Sequence, residues 1–400
     1  MANSLLTIDM ITRKALQILE NNLVVTRNMN RQYDDSFAKQ GAKIGSTLRI
    51  RLPDRALVTD GAALQVQDDN EQYTTLTVSS QKHIGINFTT AELTMQLDDF
   101  ADRVLAPRIS QLASSVDNDA CNVYKSVYNS VGTPGTTPAT SLVLLQAMQK
   151  LNEFATPEGM RYGTVNPAAN ASLVEGMKGL FNPVPTISKQ FKSGLMAEGI
   201  LGFDEFSMSQ SLKNHTTGAW GTSITSTNTI SVQGTTSLPI SFTGSSKTWK
   251  QGDVFTIANV YAVNPQTRES TGSLQQFVVT ADASGSSTAT LTVSPAIYTA
   301  SHALATVDSF PQAGAAITML GSASTAYPQN LVYHKDAFAL ATADLLMPQG
   351  VDMASRQVHN GISMRIVRQY DINNDRMPCR VDVLYGYGAI REVTAVRLWG

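Results

Sequence analysis

Residues 97–129 read LDDFADRVLAPRISQLASSVDNDACNVYKSVYN, and this stretch sets the architecture of the chain. Apolar residues recur at helical spacing on both sides of Pro107, which is the pattern of one buried helix face. Proline fits the first turn of a helix, so the pattern predicts a short helix ending near Ala106 and a long one of about 23 residues, or about 35 Å, starting near Pro107. Asp117 and Asp119 interrupt the stripe and no heptad persists, which argues against a coiled coil. We therefore expect a long helix packed along a sheet.

The composition favours a globular protein with two or three domains, because the chain has 400 residues, 42% of them hydrophobic and 16% charged. No apolar run reaches about 18 residues, and the first ten residues lack a basic leader and an apolar core, so we predict no membrane span, no signal peptide and a cytoplasmic site of synthesis. A formal net charge of -2 predicts only loose, non-specific contact with DNA. Cys121 and Cys379 are predicted to be buried, reduced thiols.

The segment before the long helix contains two kinds of pattern. Residues 5–20 form an amphipathic helix with Thr7 as a candidate cap, which resembles an arm more than a core helix. From Gly45 to about Glu92 the apolar period is two, which predicts a hairpin with arms of about 20 residues and about 60 Å. A two-stranded ribbon is marginal in water, so we expect something outside its own domain to hold it.

The segment after the long helix begins with a Gly-, Pro- and Thr-rich loop at residues 131–140, which indicates a boundary. Mixed α/β character follows: RYGTVNP predicts a strand, and Asn166 with Pro167 predicts the start of a helix through Met177. A further helix is predicted from an apolar stripe made of Leu142, Leu145, Met148, Leu151 and Phe154.

Residues 221–326 are dominated by Ser, Thr, Gly, Val and Ala, and short strand-like runs are separated by turn residues. The runs are TISVQG, LPISFTG, DVFTIANVYAVN, QQFVVTAD, ATLTVSPAIY and AAITML. This spacing predicts a small all-β barrel or sandwich of about 100 residues. LVYHKDAFALATADL then predicts a strand and a helix, and the chain ends in strands. A β module that interrupts an α/β domain is an insertion, so its two ends should lie close together.

These residues resemble the major capsid proteins of tailed bacteriophages, which share the Hong-Kong-97 fold, and more narrowly the P-twenty-two-type coat proteins of short-tailed phages. The resemblance rests on RIRLPDRALVTDGA, AELTMQLDDFADRVLAPRISQLA, GILGFDEFSMSQSL, FTIANVYAVNPQTRESTGSLQQFVV and CRVDVLYGYGAIREVTAVRL. It covers nearly the whole chain and depends on the order of the segments rather than on any single motif. It implies an α+β capsid fold with an inserted β-barrel and no enzymatic activity.

The resemblance implies seven segments. They are an N-terminal arm (1–44), the E-loop hairpin (45–92), the spine helix and peripheral domain (93–135), the first part of an axial α/β domain (136–220), the inserted β-barrel (221–326), the second axial part (327–378) and C-terminal peripheral strands (379–400). It also implies a virion shell of pentamers and hexamers around double-stranded DNA, assembled in the host cytoplasm with a portal protein. About 44 residues before the hairpin are too few for a fused scaffolding segment, so we expect a separate scaffolding protein. Covalent cross-linking through a hairpin Lys is not expected, because residues 53–81 contain none.

The residues predicted to touch neighbouring subunits are charged. The hairpin has a basic base and an acidic tip, and a rotated neighbour is expected to receive the tip on the exposed face of its spine helix. The basic base is Arg49, Arg51 and Arg55; the acidic tip is Asp60, Asp68, Asp69 and Glu71; and the receiving residues are Arg103 and Arg108.

No pattern in the sequence predicts catalysis, a cofactor or a metal site. The five histidines are scattered without metal-ligand spacing. The sequence GYGAI at residues 386–390 lacks a phosphate-loop lysine and is interpreted as a bulge or turn. Asp98 and Asp99 suit the first turn of a helix, where carboxylates interact favourably with the helix dipole. Two alternatives remain open at this point: an encapsulin-like compartment shell, and a phage-borne surface-binding or glycan-processing protein with a β module.

Overall fold

The computed structural model describes residues 8–31, 47–58, 61–62, 66, 72–88, 106–177, 196, 199–372 and 377–400. The α-helices are α1 (Ile8–Asn22), α2 (Ala106–Ala120), α3 (Ser141–Glu153) and α4 (Pro167–Gly176). The strands before the predicted insert are β1 (Thr47–Arg51), β2 (Tyr73–Thr77), β3 (Ser80–Phe88), β4 (Ser130–Val131), β5 (Arg161–Val165), β6 (Glu205–Met208) and β7 (Asn214–Thr216). Those of the insert are β8 (Thr222–Ser226), β9 (Thr235–Thr243), β10 (Lys247–Trp249), β11 (Val254–Val263), β12 (Ser270–Val279), β13 (Ala283–Gly285), β14 (Thr288–Ile297) and β15 (Ile317–Met319). The remaining strands are β16 (Ala326–Pro328), β17 (Asn330–His334), β18 (Phe338–Thr342), β19 (Met353–His359), β20 (Ile362–Arg368), β21 (Met377–Ala389) and β22 (Ala395–Leu398).

The chain divides into two compact units. The first unit is Met1–Arg51, Tyr73–Cys121 and Phe338–Ile390, and the second is Leu52–Gln72, Asn122–Ala337 and Arg391–Gly400. In the described parts of both units, no helix is long and apolar enough to cross a bilayer.

The first unit is built on an antiparallel sheet around β21, the longest strand of its sheet. Strands β18 and β20 pair with successive parts of one edge of β21, and β3 pairs along the other edge. Helix α1 packs against β19 and α2, and α2 packs against β3. The predicted N-terminal helix is thus present, but Ala15, Leu16 and Leu19 are almost fully buried, so it is a core element rather than a free arm. Thr7 lies outside the described residues.

The hairpin is shorter than the sequence pattern predicts. Strands β1 and β2 pair antiparallel over five residues each, from Thr47 opposite Thr77 to Arg51 opposite Tyr73. The alternating run that continues as β3 pairs with β21 instead of folding back along the hairpin. This difference has a physical reason, because β21 pairs with one edge of β3 and α2 packs against β3. A long isolated ribbon would instead leave both of its faces in water. Much of the hairpin between residues 59 and 71 lies outside the described residues.

The spine helix begins near Pro107 as predicted but ends earlier. Helix α2 spans 15 residues and continues as a 3-10 helix over Cys121–Ser126. The apolar stripe is buried in both parts, with Val116 and Val123 each under 5% exposed. A 3-10 turn is a common way to tighten the end of an α-helix, and the side-chain spacing alone does not distinguish it from further α-helix. The short helix predicted before Ala106 falls on residues that are not described.

Asp117 is buried within the stripe that it was predicted to interrupt. Its carboxylate accepts hydrogen bonds from the backbone N–H groups of Val24 at 2.6 Å, Val25 at 3.2 Å and Thr26 at 3.1 Å, and from the Thr26 hydroxyl at 2.6 Å. The spine therefore satisfies the backbone of the chain just after α1. A charge this deep is tolerated because every bond to it is charge-assisted.

The α/β part of the second unit contains the sheet β4-β22-β17-β5-β6. Asn166 caps α4 by accepting from the Ala169 N–H at 2.7 Å, with Pro167 in the first turn, as the sequence predicts. The predicted stripe of α3 is confirmed at its C-terminal end, where Leu151 and the adjoining Phe154 are buried, but is wrong at its N-terminal end, where Leu142 and Leu145 are exposed. The buried residues of α3 are Val143, Leu144, Ala147 and Leu151. Both stripes are apolar at helical spacing, so only packing against the sheet selects one.

The insert is a barrel. Its six-stranded sheet has the order β15-β11-β12-β14-β9-β8, and a bridge between Thr225 and Ala316 joins the two edge strands. The core of the barrel consists of residues from the insert, with Trp249, Phe255 and Phe277 fully buried. Five of the six predicted runs contain a strand. The sequence TISVQG is a loop and turn, and β8 just before it was not predicted.

Two further elements differ from the sequence prediction. The part of LVYHKDAFALATADL predicted as helix is β18, because Phe338 and Ala339 are fully buried in the sheet and pairing with β21 outweighs the helix propensity of alanine. The sequence GYGA at residues 386–389 is the end of β21 rather than a turn. A Cβ on Gly386 would clash with the backbone of Thr77 and Val78, so glycine permits this close approach.

Candidate assembly surface and the barrel joint

The predicted basic base of the hairpin is split between the two units. Arg49 and Arg51 are exposed on β1, and the Arg49 guanidinium lies 5.0 Å from the centre of the Tyr73 ring. Arg55 belongs to the second unit, where it is half-buried, and burial lowers the pKa of its guanidinium while Tyr128 raises it. Arg49 and Arg51 are therefore exposed on the hairpin, whereas Arg55 interacts with Tyr128 of its own unit.

The predicted receiving surface is described only in part. Arg108 lies in the first turn of α2 and is half-buried rather than fully exposed, donating from Nη1 to the Gly85 carbonyl at 3.3 Å. Arg103, together with the tip residues Asp60, Asp68, Asp69 and Glu71, lies outside the described residues.

A second feature, absent from the sequence prediction, is the contact between the barrel and the α/β part of the second unit. We call this contact the barrel joint. Its polar residues include Tyr124, Ser130, Lys150, His215, Asp253, Gln276, Ser294, Glu392 and Arg397. Tyr128, Val254 and Val278 form an apolar cluster beside them.

Asp253 is the anchor of the barrel joint. Its carboxylate accepts from His215 Nε2 at 2.9 Å, from the Gly218 N–H at 3.1 Å and from the Lys250 N–H at 2.8 Å. The other ring nitrogen of His215 is 3.2 Å from the Tyr124 hydroxyl. Because the Asp253 side chain is fully buried, these bonds replace the water that the carboxylate loses.

Arg397 enters the joint from β22. It is 1% exposed, donates from Nη1 to the Gly252 carbonyl at 2.8 Å, and lies with its guanidinium 5.3 Å from the centre of the Tyr124 ring. Burial lowers its pKa to about 10, and nearby Tyr124 and Asp253 counteract this. The side chain is therefore charged at neutral pH.

Gln276 of the barrel contacts the edge of the α/β sheet. Its Oε1 accepts from the Ser130 N–H at 2.7 Å and from Lys150 Nζ at 2.7 Å, and its Nε2 donates to the Ser130 carbonyl at 3.1 Å. Burial lowers the pKa of Lys150 to about 8, and Glu153 raises it in part.

Glu392 makes a further polar contact of the joint. The Ser294 hydroxyl donates to its carboxylate at 2.7 Å. Burial raises the pKa of Glu392 to about 7, because the ionised form loses its hydration, and the bond from Ser294 opposes that shift.

The histidines and cysteines that the structure describes are dispersed. Among the described residues, no three His, Cys, Asp or Glu side chains are placed to hold a metal ion. His215 and His334 are buried and hydrogen-bonded, and His83 is exposed. Cys121 and Cys379 are buried thiols rather than members of a disulfide, as predicted.

Sequence reasoning missed the residues of the joint because their partners are distant in sequence. Asp253 and His215 are 38 residues apart, and Gln276 and Ser130 are 146 apart. Outside the joint, Asp117 did carry a signal, since a charged residue inside an apolar stripe indicates a buried group with a partner.

Comparison with known proteins identifies a structural class that fits this architecture, the coat proteins of phage shells. The family model described as P22 coat protein, gene protein 5, matches residues 1–400, so the chain belongs to this family. The chain is also similar to the major capsid protein of Acyrthosiphon pisum secondary endosymbiont phage 1, with 21% identity over 323 residues, 76% of each chain.

Two solved structures are also similar. One, from Mycobacterium phage Che8, has 11% identity and a TM-score of 0.47, covering 94% of this chain and 90% of that chain. The other, the CUS-3 coat protein I-domain, has 32% identity and a TM-score of 0.21, covering 25% of this chain and 96% of that chain.

Family membership confirms the main predictions from the sequence. The chain is a major capsid protein with the Hong-Kong-97-type α+β fold, its role is structural rather than enzymatic, and it associates with itself in the virion capsid. Membership of the coat protein family favours neither the encapsulin-like shell nor the surface-binding or glycan-processing protein as an alternative.

Proposed function

We propose that copies of this coat protein close into an icosahedral shell of pentamers and hexamers around double-stranded DNA. The observation that supports this is the match of the coat protein family along residues 1–400. With a formal net charge of -2, the chain is not a strong binder of phosphate, so contact with the packaged DNA is loose and non-specific. Assembly takes place in the host cytoplasm with a separate scaffolding protein and a portal protein.

The hairpin makes one of the contacts between subunits in this proposal. Its base exposes Arg49 and Arg51, and its tip sequence is acidic. A neighbour related by rotation receives the acidic tip on a basic surface that includes Arg103 and Arg108. Each exposed ion pair contributes only about 0–1 kcal/mol and is screened by salt, but a closed shell repeats the contact in every subunit.

Electron microscopy of the purified full-length chain, with and without the scaffolding protein from the same phage, tests the proposal. Closed shells of one size with the scaffolding protein, and irregular particles or free subunits without it, are expected. Uniform closed shells from the chain alone would contradict the requirement for a separate scaffolding protein, and no shell under either condition would contradict the proposal as a whole.

A further inference from the structure

A small cavity lies within the barrel joint. Its volume is about 10 Å³. The residues that line it include His215, Thr217, Asp253, Gln329 and Arg397. About 10–15 Å³ by this measure is enough for one water molecule, which also needs two to four polar partners. Size therefore limits any occupant to a single small molecule or ion.

Two of the lining side chains have polar groups that are not hydrogen-bonded. Arg397 and Gln329 are each 1% exposed. Arg397 Nε and Nη2 and Gln329 Oε1 have no hydrogen-bond partner among the described residues. Their other groups are in use, because Arg397 Nη1 donates to Gly252 and Gln329 Nε2 donates to the Tyr327 carbonyl at 3.0 Å. Unpaired polar groups at this depth are unfavourable, so a ligand that pairs them binds favourably.

The unpaired groups differ in kind, and this selects the ligand. Arg397 offers donors and Gln329 offers an acceptor, so the occupant has to accept and donate at once. A monovalent anion accepts from Arg397 but has no hydrogen to give Gln329, and the Asp253 carboxylate in the same lining repels it. A cation is repelled by the positive charge of Arg397. Water satisfies both side chains, and Asp253 provides a further acceptor for its second hydrogen.

We propose that the barrel joint binds one ordered water molecule, which accepts a hydrogen bond from Arg397 and donates one to Gln329. The water completes the hydrogen bonding of a fully buried guanidinium that otherwise has one carbonyl partner and an aromatic ring. Since Arg397 and Gln329 belong to the α/β part while Gly252 and Asp253 belong to the insert, the water is a component of the contact between them.

The direct test is a structure of the full-length wild-type protein, as subunit or shell, at a resolution that shows ordered water. A single peak within hydrogen-bond distance of both Arg397 and Gln329 Oε1 is expected. A cavity without density would overturn the proposal, and so would a direct bond between Arg397 and Gln329.

A salt comparison distinguishes water from a halide, which is the other occupant of similar size. The melting temperature of the full-length protein is measured in sodium chloride and in sodium gluconate at equal ionic strength. Equal values are expected, because water occupies the site in both. A melting temperature that rises with chloride concentration in the wild type but not in Arg397→Met would show a halide and overturn the proposal, since a bound ion stabilises the folded state by mass action.

A double-mutant cycle tests whether the water couples the two side chains, which share no direct bond. Arg397→Met and Gln329→Met each remove one partner of the water, so their effects on the unfolding equilibrium should be non-additive by about tenfold. Gln275→Met is the control, since Gln275 is equally buried but does not line the cavity. The effects of Arg397→Met and Gln275→Met should add. If the effects of Arg397→Met and Gln329→Met also add, the proposal is overturned. If Arg397→Met does not fold, the density measurement on the wild type still decides the proposal.

Discussion

Gln276 pairs with Ser130 as a neighbouring strand would, because its side-chain amide both accepts from the Ser130 N–H and donates to the Ser130 carbonyl. On the other edge of β4, Asn129 and Val131 bond to β22. A single side chain of the barrel therefore occupies the free edge of the α/β sheet. An open edge exposes unpaired N–H and C=O groups, and this contact pairs those of Ser130.

We expect Gln276→Leu to lower the free energy of unfolding by about 1–3 kcal/mol, because both backbone groups of Ser130 lose their partner at a buried position. Gln276→Glu is the matched variant, since it keeps an acceptor for the Ser130 N–H and pairs its charge with Lys150. Its second oxygen faces the Ser130 carbonyl, so some stability is still lost, but less than in Gln276→Leu. Urea unfolding of the full-length subunit measures both. Equal losses in the two variants would show that the accepted hydrogen bonds contribute nothing.

Asp117→Asn should be strongly destabilising, although it changes only one atom. An amide has one acceptor oxygen and turns its NH₂ group toward the donors of Val24, Val25 and Thr26. We expect a loss of about 3 kcal/mol, since hydrogen bonds to a charged group are the stronger ones. Thermal melting and the rate of protease cleavage around residues 23–28 measure this loss of stability. Ser114→Asn is the control, because Ser114 lies on the exposed face of α2. Identical melting temperatures would mean that the carboxylate does not hold this segment.

Glu392 should make stability depend on pH. Its pKa is about 7 in the folded chain and near 4.5 in the unfolded chain, so the folded state binds the proton more tightly. The resulting stability is fully present below about pH 4.5 and is lost as the pH rises through 7. Glu392→Gln does not titrate, so it should be more stable than the wild type above pH 7, by at most about 3 kcal/mol, and nearly equal to it at pH 4.5.

Urea unfolding of the wild type and Glu392→Gln at several pH values between 4.5 and 8.5 measures this difference. Ser294→Ala is the companion variant, because it removes the hydroxyl that favours the ionised carboxylate and should move the loss of stability to higher pH. A stability difference between wild type and Glu392→Gln that does not change with pH would contradict the expected titration.

Residues 222–326 should fold by themselves. The barrel has its own core with Trp249, Phe255 and Phe277, and its sheet closes through Thr225 and Ala316. An isolated fragment should therefore unfold cooperatively, with dispersed amide signals in NMR spectra. A fragment that remains disordered would remove the prediction of a separate inserted domain.

Charge reversal at the hairpin tip tests the proposed contact between subunits. Asp68→Lys with Asp69→Lys should leave the circular dichroism and melting of the monomer unchanged and raise the concentration needed for assembly, more at low than at moderate salt. Reversing Arg103 and Arg108 in the same chain should restore assembly in part. Unchanged assembly at both salt concentrations would mean that the tip makes no such contact, and an unfolded monomer would mean that these acids serve the fold.

The sequence by itself determined the features that depend on local pattern. The period of apolar residues located the spine helix, most strands of the barrel and β21, because period and turn residues are properties of neighbouring positions. Asn166 and Pro167 were enough to start α4, since a cap acts within one helical turn. The order of these segments also indicated the coat protein family.

Only the tertiary structure decided which equivalent pattern is buried and which distant residues meet. The buried face of α3, the strand conformation of β18 and the pairing of β3 with β21 each required packing to choose between alternatives of similar local preference. The contacts of the barrel joint could be found only from the tertiary structure. Asp253, His215, Gln276 and Arg397 are unremarkable in the sequence. Folding removes them from water and places each beside a polar partner that is distant in sequence.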